Sequence, residues 1–147
     1  MSESGDVLTE VLAVLATSLG GSYSQHPRNY DLQTLPATML ENRYSVVFDT
    51  ATEDAALIVG KLVITRNIVV SITYRTFQHG NDSKANTLLT TVYNKEEALW
   101  LALRNYGFTT ASGQILSLVD SEIEMFNNEN ESFLRNIIRM RIRYLAN

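Results

Sequence analysis

The stretch L-R-N-I-I-R-M-R-I-R-Y at residues 134–144 decides the fold. Ile138, Met140, Ile142 and Tyr144 fall on one side of an extended chain, and Arg139, Arg141 and Arg143 fall on the other. That period of two predicts a strand with one apolar and one cationic face. Such a strand needs a cover on one side only, which is how antiparallel sheets backed by helices are built. Working back from it, N-N-E-N-E at residues 127–131 is a polar turn. Before the turn, residues 114–125 alternate again, with Ile115, Ser117, Val119, Ser121 and Ile123 against Leu116, Leu118, Asp120, Glu122 and Glu124. The pair reads as a C-terminal hairpin in which acids on one strand partly neutralise arginines on the other.

The rest of the chain supplies the cover and two or more further strands. Val7, Leu8, Val11, Leu12, Leu15 and Leu19 follow Asp6 at helical spacing, with Asp6 as N-cap and Gly20-Gly21 as the stop. Residues 22–42 hold both prolines and no clear period, and could conceal a short strand. Residues 43–49 (R-Y-S-V-V-F-D) alternate as a strand, residues 50–56 read as a polar connection, and residues 57–59 as a short strand before Gly60. Residues 62–77 form a long β-rich run, with Ile68, Val70, Ile72 and Tyr74 on one face, and its length predicts a bend near Arg66-Asn67. Residues 78–84 (Q-H-G-N-D-S-K) read as a loop, followed by helical sequence over 85–93 and again over 95–105, with Asn94 capping the second piece. The expectation is a single α+β domain over residues 1–147: one mixed, mostly antiparallel sheet flanked by two main helices, in the order α-β-β-α-β-β.

Composition bounds the chemistry. The chain has 147 residues, 45% of them hydrophobic and 19% charged, which is ordinary globular material. A domain of this length buries about 70% of the surface its unfolded chain exposes. Cysteine is absent and there are two histidines, so disulfides, thiolate metal sites, Fe–S clusters and Cys nucleophiles are excluded. His26 and His79 fall in expected loops with no second ligand at metal spacing. No G-x-S-x-G elbow accompanies the serines, and Gly20-Gly21 follows a helix where a phosphate loop would precede one. The acid pairs Glu53-Asp54 and Glu96-Glu97 read as a connection and a helix first turn. No catalytic, cofactor-binding or metal-ligating residue is assigned, and the expected protein is not an enzyme. The longest apolar run near the N-terminus covers residues 11–16, far short of the ~20 residues that span a bilayer. The residues before it include Glu3, Asp6 and Glu10, which do not make a signal-peptide n-region.

Charge is unevenly distributed. The net charge is −4, yet residues 1–60 hold two arginines against eight acids, and residues 135–147 hold four arginines and no acid. The arginine face has three readings: a solvated outer face, a patch for an acidic surface on a neighbouring subunit, or contact with nucleic-acid phosphates. No aromatics are interleaved with the arginines, which weighs against single-strand stacking.

The order of elements resembles the tail-terminator family of long-tailed bacteriophages and its neck-protein relatives. The residues that carry the resemblance are the first helix ending in Gly20-Gly21, the strand at Tyr44 to Phe48 entering an acid-rich connection, and S-I-T-Y-R-T-F at residues 71–77. Above all there is the acid-rich tip leading into R-M-R-I-R-Y-L close to the C-terminus. The resemblance implies a virion structural protein at the tail–head junction, assembled in the host cytoplasm. It would cap the last tail-tube ring as a homo-oligomeric ring, often a hexamer, end tube polymerisation and offer the head-joining surface. Its partners would be itself, the tail tube protein and a head-completion or connector protein. DNA would only pass through the lumen, and neither membrane nor cofactor is involved. A closed ring joins two different patches of each subunit. Candidates are the arginine strand (Arg139, Arg141, Arg143) and the acidic N-terminal half, with Glu53 and Asp54. Loops are the natural contacts to tube and neck. The candidates there are His79, Asn81, Asp82 and Lys84 in one loop, and Asn127, Asn128, Glu129 and Glu131 at the hairpin tip. The alternatives are another neck or tail-completion protein of similar fold, or a non-viral α+β dimer that binds a small ligand.

Overall fold

A computed structural model describes residues 4–26, 40–53, 62–76, 82–108, 114–128 and 131–146. The elements run α1 (Ser4–Leu19), β1 (Ser24–Gln25), β2 (Arg43–Glu53), β3 (Leu62–Arg75), α2 (Asp82–Asn105), β4 (Gln114–Asn128) and β5 (Glu131–Ala146). The strands form one sheet in the order β1-β2-β3-β5-β4. Among the described residues the β1–β2 pair is parallel, and the β2–β3, β3–β5 and β4–β5 pairs are antiparallel. The α+β expectation holds, with β1 as the short strand inside the irregular stretch.

The helices cover one face of the sheet. Tyr44, Val46, Ile68, Val70, Ile72, Tyr74, Ile138, Met140, Ile142 and Tyr144 are buried there against Val7, Val11, Leu15 and Leu19 of α1 and Val92, Leu99 and Leu103 of α2. The apolar side of residues 134–144 is therefore the centre of the core. Each large aliphatic side chain buried this way contributes on the order of 1.5–3 kcal/mol. Polar contacts also fasten the helices: Lys95 Nζ donates to the Leu19 carbonyl at 3.0 Å, and the hydroxyl of Tyr106, just past α2, donates to Glu10 Oε1 at 3.0 Å. The first satisfies one of the carbonyls that the C-terminal end of α1 leaves open. Gly20 follows in the left-handed region at φ 91°, with its N–H on the Ala16 carbonyl at 3.2 Å, the αL stop expected of a glycine there.

Several expectations are corrected. Asp6 lies within the first turn of α1, where it favours the dipole, and does not precede it. Residues 50–53 are not a connection but the end of β2. The irregularity expected in β3 sits in its partner. Phe48 pairs with Ile68 and Ala51 with Arg66, so two residues of β2 bulge opposite Asn67 while β3 runs straight through. α2 is one helix of 24 residues with an exposed Asn94 in its interior, and Asp82, Ser83 and Lys84 belong to it, not to a loop. Val92, Leu99 and Leu103 all reach the core from one side, and that packing outweighs the small helix penalty of one asparagine. The strands of the hairpin also run further than expected, with Asn128 opposite Glu131. The short strand expected at residues 57–59 lies outside the described residues.

Candidate functional site

The face of the sheet away from the helices carries the charge. The alternation of β5 sends Arg135, Arg139, Arg141 and Arg143 to it, together with Phe133 and Ile137. β4 is the edge strand, and register shifts at Leu116 and Val119 reset its alternation. Without the second shift Leu118 and Asp120 would share a face. With it, Leu118 pairs beside Met140 on the helix side, and Asp120 pairs beside Arg139 on the charged side. Glu122 and Glu124 follow Asp120.

Arg139 is committed within the chain. Its guanidinium reaches Asp120 at 2.8 Å and Glu122 at 3.0 Å, and these hydrogen bonds, Asp120 first, hold its pKa above the ordinary arginine value. Arg135 lies over the Phe126 ring at 4.6 Å. Arg141 and Arg143 are exposed, and no ion pair among the described residues holds Arg141. The cross-strand neutralisation expected from the sequence is real at Arg139.

The sheet has two chemically different ends. At one, the hairpin tip meets the end of β3. Arg75 reaches Glu131 at 2.5 Å and Glu41 at 4.0 Å, and the Thr76 N–H donates to the Ser132 carbonyl at 3.1 Å. Ser132 Oγ donates to Asn127 Oδ1 at 2.9 Å, and Phe126 stacks on Phe133. Leu40 is buried beside that pair, and the Thr73 hydroxyl donates to its carbonyl. The chain leaves the sheet at Thr76 beside this tip and re-enters described structure at Asp82. The two contact loops expected from the sequence thus depart from one end of the molecule. At the opposite end stand Arg141, Arg143 and Glu53, for Thr52 pairs with Thr65, Thr65 with Arg143, and Glu53 with Ile64.

Among the candidate residues, Asn127 and Glu131 are in strands at the tip, and Asn128 is in β4. Lys84 is exposed in the first turn of α2, where Asp82 also lies. Asp54, His79, Asn81 and Glu129 lie outside the described residues.

The sequence did not reveal how much of β4 stays bare. Leu118, Val119, Ile123 and Met125 are exposed, Met125 to 60%. The first, third and fourth of these pair beside Met140, Asn136 and Leu134 on the helix side and stay exposed, although α2 also packs against β4. An alternating pattern looks the same in a central strand and an edge strand, so only the strand order shows this. Leu62, at the arginine end, and Leu89, Tyr93 and Leu101 of α2 are also exposed.

Two depressions on the helix side among the described residues, one between Val14 and Ala102, the other along Ser83, Thr87 and Thr91, are lined by small, hydroxyl and apolar groups besides Lys84 and Tyr106. Among the described residues no three His, Cys, Asp or Glu side chains gather as a metal site, and no helix is long and apolar enough to cross a membrane. The described chemistry is that of surfaces: a cationic end, an acidic strand face and an uncovered apolar edge.

No protein-family model matches the chain, and no curated protein matches it. Among solved structures, the chain is similar to one from the virion of a native gene transfer agent particle. The TM-score is 0.47 at 13% identity, over 92% of this chain and 91% of that one.

Proposed function

We propose that this chain is a virion structural protein of the tail-terminator kind, a subunit of a homo-oligomeric ring that ends a phage tail tube and offers the surface to which the head is joined. The single observation that carries this reading is the uncovered edge of β4, with exposed Leu118, Ile123 and Met125 on one side and acids on the other. A long bare edge with apolar side chains is a liability in a lone protein and an asset in an assembly. The resemblance in element order and in the C-terminal strand supplies the kind of assembly.

In this reading the helices and sheet are a scaffold with two working ends. The hairpin tip and the start of α2, with Asn127, Asn128, Glu131, Asp82 and Lys84, face the tube or the head-completion protein. The arginine end of β5 joins neighbouring subunits, with Arg141 and Arg143 as its cations and Arg139 held internally. No bond is made or broken, and DNA passes through the lumen. The test is assembly of the cognate tail-tube protein with and without this chain. Adding it at the start should give shorter tubes of narrow length distribution that no longer grow when fresh tube protein is supplied. Continued growth at saturating amounts of the chain would refute the reading.

A further inference from the structure

The strand order gives β4 one partnered edge, toward β5, and one outer edge with no strand on it among the described residues. Edge strands that avoid company carry bulges, prolines or lysines. In β4 the register shifts end at Val119, and residues 120–128 (D-S-E-I-E-M-F-N-N) pair with β5 without a break and contain no proline, lysine or arginine. The two faces of this stretch differ sharply. Asp120, Glu122 and Glu124 stand on one, beside Arg139, Ile137 and Arg135 of β5, and Ile123 and Met125 on the other, beside Asn136 and Leu134. All five side chains are exposed. Asp120 and Glu122 bind Arg139, and Glu124 is held by no ion pair among the described residues.

Side chains on a strand are shared by the neighbours on both sides, and β5 shows what suits these. It sets arginines beside Asp120 and Glu124, and Leu134 beside Met125. A strand added outside β4 would meet the same row from the other side. Cross-strand pairing therefore asks it for basic residues on the acidic face and apolar residues on the other. Residues 120–125, at 3.4 Å each, offer about 20 Å of edge, the length of an ordinary strand.

A second copy of this chain has no such strand to give. The sequence alternates arginine with apolar residues in R-M-R-I-R-Y at residues 139–144, and β5, which holds them, is paired on both edges. Another β4 would set acids against acids, because every charge in residues 120–125 is negative, and like charges across strands destabilise a sheet. β2, toward the other side of the sheet, carries Arg43 against Asp49 and Glu53.

We propose that residues 120–125 of β4 take, edge to edge, an extended segment of a different protein in which basic and apolar residues alternate. Main-chain hydrogen bonds hold the added strand, and its side chains supply the selection. Its basic residues lie beside Glu122 and Glu124, and its apolar residues beside Ile123 and Met125. This deepens the assembly reading by giving the chemistry of one partner, and rests on it only for that partner being a virion protein.

The probe is a capped peptide of alternating arginine and valine, added to the full chain and followed by amide hydrogen exchange. In an antiparallel pair every second residue turns its N–H away from the partner strand. Alternate amides within residues 120–125 should therefore exchange fast in the chain alone and slow when the peptide is added. A peptide of alternating glutamate and valine should leave them fast. So should one with all its arginines first and all its valines after, which has the charge without the pattern. Glu124→Lys, with circular dichroism reporting its fold, should weaken the alternating arginine peptide about fivefold or more. The proposal is overturned by no slowing at millimolar peptide, by equal slowing with the block peptide, or by an unchanged affinity in Glu124→Lys. Amides already slow in the chain alone, at concentrations where it self-associates, would give the edge to a second copy and overturn it too. Tube growth is scored separately. If the chain still shortens tubes but no peptide binds at β4, this proposal falls and the tube-terminating role stands; peptide bound at β4 with tubes that keep growing gives the reverse.

Discussion

Arg139 and Arg141 are two residues apart on the same strand face, yet they have different work. Arg139 closes a fork on Asp120 and Glu122 and is spent on the hairpin itself. Such exposed pairs are worth at most about 1 kcal/mol. Arg141 has no such fork, so its charge is offered outward. The sequence displayed both as one stripe, and only the register, reset by a bulge at Val119, separates them. At the same scale, the Tyr74 hydroxyl is buried in the core, with the Tyr23 ring edge-on at 6.0 Å. Burial first, and then the neighbouring Tyr23, push its pKa well above the ordinary 10, and Tyr23 is raised by burial as well. The unfolded chain releases these protons near pH 10, the folded chain only at higher pH. Their contribution is therefore intact below about pH 10 and is lost as the pH rises past it. We expect the urea midpoint of Tyr74→Phe to fall less than that of the wild type between about pH 9 and 11. Parallel declines would contradict the burial of this phenol.

The elements were legible where a period was strong and illegible where packing overrode a local signal. β5 and the buried side of β3 follow the alternation of their residues directly. The bulge of β2 opposite Asn67 was felt in the sequence only as excess length in β3. Asn94 shows the reverse case: it has the chemistry of a cap, yet it stands inside α2 because core contacts on both sides of it belong to one helix. A cap replaced by alanine costs about 1 kcal/mol, whereas an interior asparagine replaced by alanine gains up to about 0.7 kcal/mol. Asn94→Ala should therefore leave the thermal midpoint unchanged or raise it. A loss of several degrees would mean that the helix breaks there.

At the scale of the molecule, the sequence announced two helices and a sheet but not the strand order, because sequence neighbours need not be sheet neighbours. Putting β4 outside β5 is what leaves Leu118, Ile123 and Met125 bare, and no alternation pattern could have shown it. The same order sends the hairpin tip to one end and Arg141 and Arg143 to the other. Glu53 ends β2 at the same end of the sheet as Arg141 and Arg143, a proximity that the sequence did not show. The most direct test is negative-stain imaging of the purified chain mixed with preformed tail tubes. The account predicts rings with an open lumen seated on tube ends. Bare tube ends at saturating protein, with the chain present only as compact dimers, would contradict it.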